Sequence, residues 1–306
     1  MRWERKAAIA RACARLPLGA KLYKIGQKRL GQLRAQPEVR LTAQVEMVRW
    51  LIKYGMPVLK GNFLEVGTGH IPVIPIGFYL AGAEQTITVD ANRRIDWDLT
   101  RASLEWIAAH HARLAILYNG DIVDKALFDE RFATLTESMS NPRRFFEKAG
   151  IRYLAPGNAA HTELPSASFD CHFSMTVLEH IPADVLSDIF TEAKRILRPE
   201  GVALHFIDPS DHFQHQDRSI TPINFLKYSD EEWLRLAGNE FTYCNRLRAS
   251  DFLKLASDAG FIKVRCETTI DEPSKSVIRS GFVIAERFAR YKLDDLCTRT
   301  LRVMWK

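Results

Sequence analysis

The sequence has no apolar run approaching the roughly 20 residues that a membrane-spanning helix needs. Its first residues show no apolar core followed by a small-residue cleavage site, so we expect no secretory leader. Cysteine is scarce, with five residues in 306 and no Cys-x-x-Cys pair. This scarcity argues against a structural zinc site and predicts a reducing, cytoplasmic compartment. The hydrophobic (46%) and charged (26%) fractions are typical of a globular protein.

Acidic residues are almost missing from residues 1–34, where Glu4 alone accompanies ten basic groups. This segment therefore carries +9, and the rest of the chain carries −3 of the total charge of +6. Apolar residues recur there at helical spacing, so we predict a basic helical extension over 1–55. Such a helix either contacts anionic lipid or another polyanion, or packs its apolar edge on the body. The acidic balance of the body argues against a nucleic-acid groove along it.

The most organised local pattern covers residues 62–90. The apolar run 62–66 predicts a buried strand, Gly67-Thr68-Gly69 a tight turn, 71–81 a helix, and 86–89 a second strand ending on Asp90. Glycines let the backbone turn sharply and let a ligand approach it closely. An acid after the second strand can accept hydrogen bonds from both hydroxyls of a ribose. The pattern therefore predicts the first half of a nucleotide-binding βαβ unit.

Two residues distinguish this pattern from a dinucleotide site. His70 stands where a third glycine would serve a pyrophosphate, and Glu65 ends the first strand. A carboxylate there repels a pyrophosphate but suits a ligand with an ammonium group. Pro75 falls inside the predicted helix, so we expect that helix to bend or to start late.

Further motifs follow a charged helical stretch over 99–149, which breaks near Asn141-Pro142 and which we interpret as a cap, an oligomer contact or an elaborated surface. Strands are predicted at 151–154, 171–174, 202–207, 261–264, 277–279 and 282–285. The segments that connect the first three of these strands contain four motifs: Gly157-Asn158-Ala159, Ser168-Phe169-Asp170, Val177-Leu178-Glu179-His180-Ile181 and Leu197-Arg198-Pro199-Glu200-Gly201.

In this order the motifs resemble those of the class I S-adenosylmethionine (SAM)-dependent methyltransferases, over about residues 60–210 and more loosely to 286. The resemblance implies an α/β fold with a doubly wound, mostly parallel, Rossmann-like sheet of seven strands, and SAM as cofactor. It implies a SAM-binding domain over 56–286, followed by a C-terminal helix or tail over 287–306. The cofactor contacts that it implies are Glu65, Gly67, Thr68, Gly69, Asp90, Ala91, Asn158, Ala159, Ser174 and Met175. Asn158 stands where the family often has Asp, which keeps an acceptor oxygen but loses the charge.

Acids and histidines concentrate in residues 208–217, directly after the strand predicted at 202–207. Ligands of doubly wound sheets bind outside the carboxyl ends of strands. His212 and His215, spaced to share one face of a helical turn, are our candidates for a catalytic base. We expect His180, Asp208 and Arg246 to contact the substrate; the alternatives are a helix-capping or buried His180 and a solvated or salt-bridged Arg246. A solvated loop is the alternative, and because the spacing matches no defined metal loop we predict no metal.

Two absences narrow the methyl acceptor. No Asn/Asp-Pro-Pro-Tyr/Phe tetrapeptide follows the fourth predicted strand, and no Pro-Cys dipeptide offers a thiolate nucleophile. We therefore expect O-methylation of a small-molecule or glycan- or lipid-linked acceptor, at the inner membrane face if the basic extension contacts lipid. An RNA methyltransferase guided by that extension and a non-catalytic partner subunit are the alternatives. The oligomeric state is not predicted.

Overall fold

Seven β-strands form one sheet in the computed structural model, which describes residues 1–56 and 58–306. Pro57, inside the predicted domain 56–286, lies outside the described residues. The strands are β1 (Asn62–Val66), β2 (Gln85–Val89), β3 (Ile151–Leu154), β4 (Phe169–Met175), β5 (Leu197–Ile207), β6 (Lys263–Ile270) and β7 (Thr298–Trp305).

The strand order is β3-β2-β1-β4-β5-β7-β6. Strands β1 and β2, β1 and β4, and β2 and β3 pair in parallel, with Leu64 opposite Ile87 and His172. Parallel neighbours need crossover connections, and helices occupy the chain between them. This topology confirms the predicted α/β, Rossmann-like class. It also means that β1, β2, β3 and β4 all end at one edge of the sheet.

Thirteen α-helices are found in the described residues: α1 (Trp3–Ala14), α2 (Gly19–Arg29), α3 (Pro37–Lys53), α4 (Val73–Leu80), α5 (Trp97–Ala109), α6 (His111–Leu117), α7 (Lys125–Ser138), α8 (Pro142–Lys148), α9 (Ala183–Ile196), α10 (Asp230–Ala237), α11 (Ala249–Asp258), α12 (Glu272–Arg279) and α13 (Leu293–Leu296). Short 3-10 turns cover Leu178–His180, His212–His215, Asn224–Lys227 and Glu286–Phe288. None of the helices in the described ranges combines the length and apolarity needed to cross a bilayer.

The chain divides into two compact units. The first unit comprises Met1–Leu33, Thr176–Ser187 and His205–Val303, and the second comprises Arg34–Met175, Asp188–Leu204 and Met304–Lys306. The boundaries drawn from the sequence, after residues 55 and 286, stay predictions.

The second unit is built around β1 and β4. Phe63 of β1, Phe78 of α4 and Phe173 of β4 pack ring on ring, with centroids 4.6 and 4.7 Å apart across Phe78. Helix α4 starts only at Val73, because Pro72 takes the position before the first helical residue, which confirms the expected late start. Helices α5 to α8 form the predicted insertion, and Asn141 ends the break before α8 by accepting a bond from Arg144 N.

The first unit has an aromatic core that includes the N-terminal helix. Trp3 of α1 lies 5.4 Å from Phe213, 5.8 Å from Tyr228 and 6.1 Å from Trp233, measured between ring centroids. Its backbone N–H also donates to Asp217 Oδ2 at 2.7 Å. The apolar edge of α1 therefore packs inside this unit, as one of the two interpretations of the extension requires.

Three local predictions are wrong. Residues 277–279 belong to helix α12, because the Asp271 carboxylate caps the helix at Ser274 and Pro273 occupies its first turn. No strand forms at 282–285 in the described chain. The terminal segment, expected to be a helix or tail, contains strand β7, whose alternate residues Leu301, Val303 and Trp305 are buried.

Candidate active site

Glu65 ends β1 inside the second unit, and its side chain is 2% exposed. Its Oε2 atom has no hydrogen-bond partner among the described residues, and burial raises the pKa of the carboxyl group to about 7. A buried carboxylate with an unsatisfied oxygen is costly unless a cation or a donor meets it. The α-ammonium group of SAM has that chemistry, so the site fits the cofactor at this position.

The turn after β1 is hydrogen-bonded to the end of β2. Gly67 and Gly69 adopt φ of 78° and 69°, which residues with a Cβ rarely adopt. Gly67 N–H donates to Val89 O at 2.9 Å, and Gly69 N–H donates to Asp90 Oδ2 at 3.2 Å. A Cβ placed on Gly69 would meet no atom within 4 Å, so open space lies beside this turn. Thr68 between them is buried.

Asp90 follows β2 and is the second acid of the donor site, the name we give to Glu65, Asp90 and the turn Gly67 to Gly69. Burial raises its pKa to about 6, and the hydrogen bond from Gly69 opposes that shift. Its backbone carbonyl accepts a bond from Gly157 N at 2.9 Å. This bond brings the Asn158 segment to the end of β2, beside Asp90.

The remaining predicted cofactor residues differ in exposure. Ala91 and Asn158 are exposed, Ala159 and Met175 are half-buried, and Ser174 is fully buried. Asn158 Oδ1 accepts a bond from Ala160 N at 3.0 Å, which fixes the loop conformation. Ser174 and Met175 end β4 directly after Phe173, the register partner of Glu65. Their contacts with SAM stay predictions.

In the first unit, the turn Leu178–His180 carries an acid and a histidine. Asn245 holds this turn, since its Nδ2 donates to Leu178 O and to Ile181 O at 2.8 Å each, and its backbone N–H donates to Glu179 O at 2.9 Å. His180 is exposed, with Nδ1 2.8 Å from Tyr243 O. The sequence analysis missed Asn245, because nothing local indicates that residue 245 meets residue 179.

The loop leaving β5 brings both predicted catalytic histidines to Asp208. His215 Nε2 lies 3.3 Å and His212 Nε2 3.7 Å from Asp208 Oδ2, and the two imidazole rings lie 5.1 Å apart. The shared face expected from their spacing is therefore present. Burial alone would raise the pKa of Asp208, but the histidines outweigh it and hold that pKa at about 2. Burial lowers the pKa of His212 to about 4, so this ring is neutral at pH 7.

A cavity of about 200 Å³ lies in the first unit beside these histidines, and we call it the histidine pocket. It is lined by Lys6, Tyr23, Gln27, His180, Asp211, His212, Phe213, His215, Gln216, Phe225, Trp233, Phe241, Thr242 and Cys244. The N-terminal helices α1 and α2 supply its first three lining residues. The sequence analysis had not placed this extension at a site, because only tertiary packing brings it there.

Arg246 has a different role from the predicted substrate contact. Its side chain is 2% exposed, and Nη1 donates to Phe225 O at 3.0 Å and to Tyr228 O at 2.7 Å. Nη2 donates to Ser229 O at 3.2 Å and to Asp230. The guanidinium group is therefore used inside the first unit, where it ties the 225–230 segment together.

The other acids of residues 208–217 make hydrogen bonds within the first unit. Asp211 accepts bonds from Phe213 N at 2.9 Å and from Asn224 Nδ2 at 3.2 Å. Asp217 accepts bonds from Ser219 N and from Trp3 N at 3.0 and 2.7 Å. Asp208 is the acid of this segment that lies beside both histidines, with Oδ2 3.3 Å from His215 Nε2 and 3.7 Å from His212 Nε2.

The chain is similar to known proteins in part of its sequence and in its fold. A family model described as a methyltransferase domain matches residues 100–205. No curated protein matches the chain in sequence. Three solved structures resemble it. The PH0226 protein of Pyrococcus horikoshii is 14% identical (TM-score 0.47; 86% of this chain and 89% of that chain). The geranyl diphosphate C-methyltransferase of Streptomyces coelicolor is 10% identical (0.46; 84% and 74%). The magnesium protoporphyrin IX methyltransferase of Synechocystis is 13% identical (0.44; 87% and 83%). We take no acceptor from these likenesses.

Proposed function

We propose that this chain, a class I SAM-dependent methyltransferase, transfers a methyl group to a hydroxyl group of a small-molecule or glycan- or lipid-linked acceptor. SAM is the methyl donor of the enzyme. The observation that carries the choice of a hydroxyl acceptor is the pair His212 and His215 beside Asp208, in a pocket of about 200 Å³. A hydroxyl acceptor needs its proton removed, and a histidine oriented by a carboxylate does this near neutral pH.

The donor site offers two carboxylates for two different parts of SAM. Glu65 would pair with the ammonium group of the methionine end, and Asp90 would accept the ribose hydroxyl protons. Positioning accounts for most of the rate of such a transfer, because orienting donor and acceptor is worth roughly 7–11 kcal/mol. The donor site therefore has to hold the sulfonium centre in one orientation, which its buried acids favour.

The proposed step balances without a further reactant. The acceptor oxygen attacks the methyl carbon of the sulfonium group, so one O–C bond forms and one S–C bond breaks. The electron pair of the broken bond goes to sulfur, which leaves as a neutral thioether. The hydroxyl proton goes to the imidazole of His215, and Asp208 at 3.3 Å stabilises the imidazolium that forms.

A methyl-release assay with pools of sugars, lipid-linked sugars and RNA tests this proposal. We expect transfer to the sugar or lipid-linked pool, and His215→Gln and His212→Ala should slow turnover while leaving SAM affinity unchanged. Transfer to RNA alone, or normal turnover in both variants, would contradict the proposal. SAM binding with no transfer to any pool would favour a non-catalytic partner subunit.

Helix α2 supports a peripheral membrane contact, which we include in the proposal. Its exposed apolar residues Leu22 and Ile25, together with the exposed Leu18 just before the helix, recur at helical spacing, and basic residues flank them. The half-buried Tyr23, on another face of α2, lines the histidine pocket. A basic amphipathic helix of this kind suits an anionic lipid surface, and a lipid-linked acceptor could then reach the pocket beside it.

Vesicle co-sedimentation tests the membrane contact. Because Trp3 is part of the core of the first unit, surface substitutions are preferable to removing the N-terminal segment. Wild-type protein should bind vesicles containing phosphatidylserine in a salt-sensitive manner, and Leu22→Glu combined with Ile25→Glu should reduce binding by at least about tenfold. The matched control is Ile116→Glu, at a more exposed apolar position on α6 (75% exposed, against 53% for Leu22 and 40% for Ile25). Equal loss in the control, or no vesicle binding by wild type, would dismiss the contact.

A further inference from the structure

The turn Leu178–His180 places a carboxyl group where the described chain does not satisfy it. The Glu179 side chain is 0% exposed, and neither of its carboxyl oxygens has a hydrogen-bond partner among the described residues. Oε1 lies 3.9 Å from His212 Nε2. Buried polar groups in native proteins almost always have a partner, so an orphaned buried carboxyl group indicates a ligand.

Two histidines complete a cluster with this carboxyl group. One ligating atom from each of Glu179, His180 and His212 lies within 4.8 Å of the other two. Nδ1 of His180 faces the carbonyl of Tyr243 at 2.8 Å. Because a carbonyl only accepts, Nδ1 carries the proton in the neutral ring and Nε2 carries the lone pair. Metal-bound histidines usually donate their second N–H to a backbone carbonyl or a carboxylate in this way.

His212 is arranged differently from His180, because its Nε2 atom faces both a carbonyl and the two carboxylates, so Nε2 has to exchange its proton for the ion on binding. Its Nε2 atom lies 3.2 Å from Asp208 O, 3.7 Å from Asp208 Oδ2 and 3.9 Å from Glu179 Oε1. A single N–H proton can serve only one of these oxygens, whereas a cation attracts both carboxylates together. The clamp from Asn245 on the Leu178–His180 turn holds two of the three cluster members in place.

We infer that Glu179, His180 and His212 bind one divalent transition-metal ion, with Asp208 as a further oxygen ligand. Two imidazoles with carboxylates are typical of zinc, iron(II) or manganese(II) sites, whereas magnesium and calcium prefer oxygen ligands alone. Tetrahedral ligands bonded at about 2.0–2.2 Å lie roughly 3.3–3.6 Å apart, so a pair of ligand atoms at the 4.8 Å limit has to close by more than about 1 Å when the ion binds. This inference replaces the expectation, from sequence, of no metal.

The role of the ion rests on the proposed function. An ion at the edge of the histidine pocket would bind the acceptor hydroxyl and lower its pKa, which eases transfer of the proton to His215. An acceptor with two adjacent hydroxyl groups would bind more tightly than one with a single hydroxyl, because it fills two open positions on the ion. The substrate class is then a vicinal diol, such as a sugar ring offers.

Metal binding is measured without the methyl acceptor. The tag-free full-length protein is stripped with a chelator and titrated with Co²⁺, which reports its ligands through visible absorption, and then with Zn²⁺ as competitor. We expect one equivalent of Co²⁺ that Zn²⁺ displaces. Glu179→Gln and His180→Asn should each weaken Co²⁺ binding by at least about tenfold, since even outer-shell changes cost about that much. The matched control is His111→Asn, an exposed histidine on α6 whose loss should have no effect.

Wild-type protein that takes up no Co²⁺, or equal binding by wild type and both cluster variants, would overturn the inference. His180 is exposed, so His180→Asn carries the test if Glu179→Gln fails to fold. SAM titrations on the same samples separate the two proposals. SAM binding without Co²⁺ binding would overturn the metal site alone, whereas Co²⁺ binding by a folded protein that ignores SAM would overturn the proposed function alone.

Discussion

Replacing Glu65 by Gln removes the charge of a buried carboxylate while keeping its size. In the native protein this group ends β1 with Oε2 unpaired among the described residues, and burial raises its pKa to about 7. The variant should therefore affect two properties in opposite directions. SAM affinity should fall, because the ammonium group loses its counter-charge. The stability of the unliganded protein at alkaline pH should rise, because an unpaired buried charge is gone.

The loss of affinity follows from the difference between a charged and a neutral hydrogen bond. A charge-assisted bond contributes about 1.5–3 kcal/mol, and a neutral one about 1 kcal/mol, so Glu65→Gln should weaken SAM binding by up to about 2 kcal/mol, or roughly 30-fold. In wild type, SAM affinity should rise with pH through the pKa of about 7, since only the ionised group pairs with the ligand. In the variant this rise should disappear, leaving the shallower change near pH 6 from Asp90.

The effect on stability has the opposite pH dependence. The folded-state pKa of Glu65 is raised from 4.5 to about 7, so the native protein binds its proton more tightly than the unfolded chain. Stability from this proton is fully present below pH 4.5 and is lost as pH rises through 7. Since each pKa unit corresponds to about 1.36 kcal/mol, the loss in wild type reaches about 3 kcal/mol at pH 8 or above. Glu65→Gln should avoid it.

Calorimetric titration with SAM and thermal melts of unliganded protein measure both effects. The variant should melt at a higher temperature than wild type at pH 8 and at the same temperature at pH 4.5, where wild-type Glu65 is protonated. Glu84→Gln, an exposed carboxylate just before β2, is the matched control and should change neither property. Unchanged SAM affinity in Glu65→Gln, together with an unchanged pH profile, would refute the role given to Glu65.

Three further substitutions test other parts of the molecule. Asp90→Ala should weaken SAM binding at least about tenfold by calorimetry, because the ribose loses a charged acceptor; a smaller effect would contradict the ribose contact. Asn245→Ala removes the side-chain bonds that hold the Leu178–His180 turn and should lower kcat while SAM affinity stays constant; an unchanged kcat would show that the turn needs no clamp. Arg246→Met removes the donor to the buried Phe225 carbonyl and to the partly buried Tyr228 carbonyl, and should destabilise the protein by about 2–4 kcal/mol in denaturant unfolding; a stable, inactive variant would instead restore Arg246 as a substrate contact.

Much of the fold is readable from local patterns. The βαβ unit over 62–90 combines a short apolar run, a glycine turn and an acid after the second strand. Each of these patterns favours one local conformation, so the unit could be predicted. The failures have equally local causes. Residues 277–279 contain β-branched side chains, yet the cap at Asp271 and Pro273 favours a helix. Strand β7 shows a clear alternation at Leu301, Val303 and Trp305. This alternation is typical of a strand, but we had expected a terminal helix or tail.

The candidate site also has residues whose placement follows from the sequence and residues whose placement does not. Glu65 and Asp90 stand at the ends of strands, so their approximate placement follows from sequence. The partners of His180 do not, since Tyr243 and Asn245 lie more than 60 residues away in the chain. The lining of the histidine pocket by Lys6 and Tyr23 likewise depends on tertiary packing alone. Arg246 was expected to contact the substrate, but its side chain is buried and hydrogen-bonded to backbone carbonyls. The sequence contains little information about which arginine is buried.

Isothermal titration of the pure, folded chain with SAM tests the central claim most directly. We expect saturable heat for one site per chain, competition by the demethylated product, and a loss of affinity as pH falls below 7. Absence of heat with both the nucleotide and its demethylated product would contradict it.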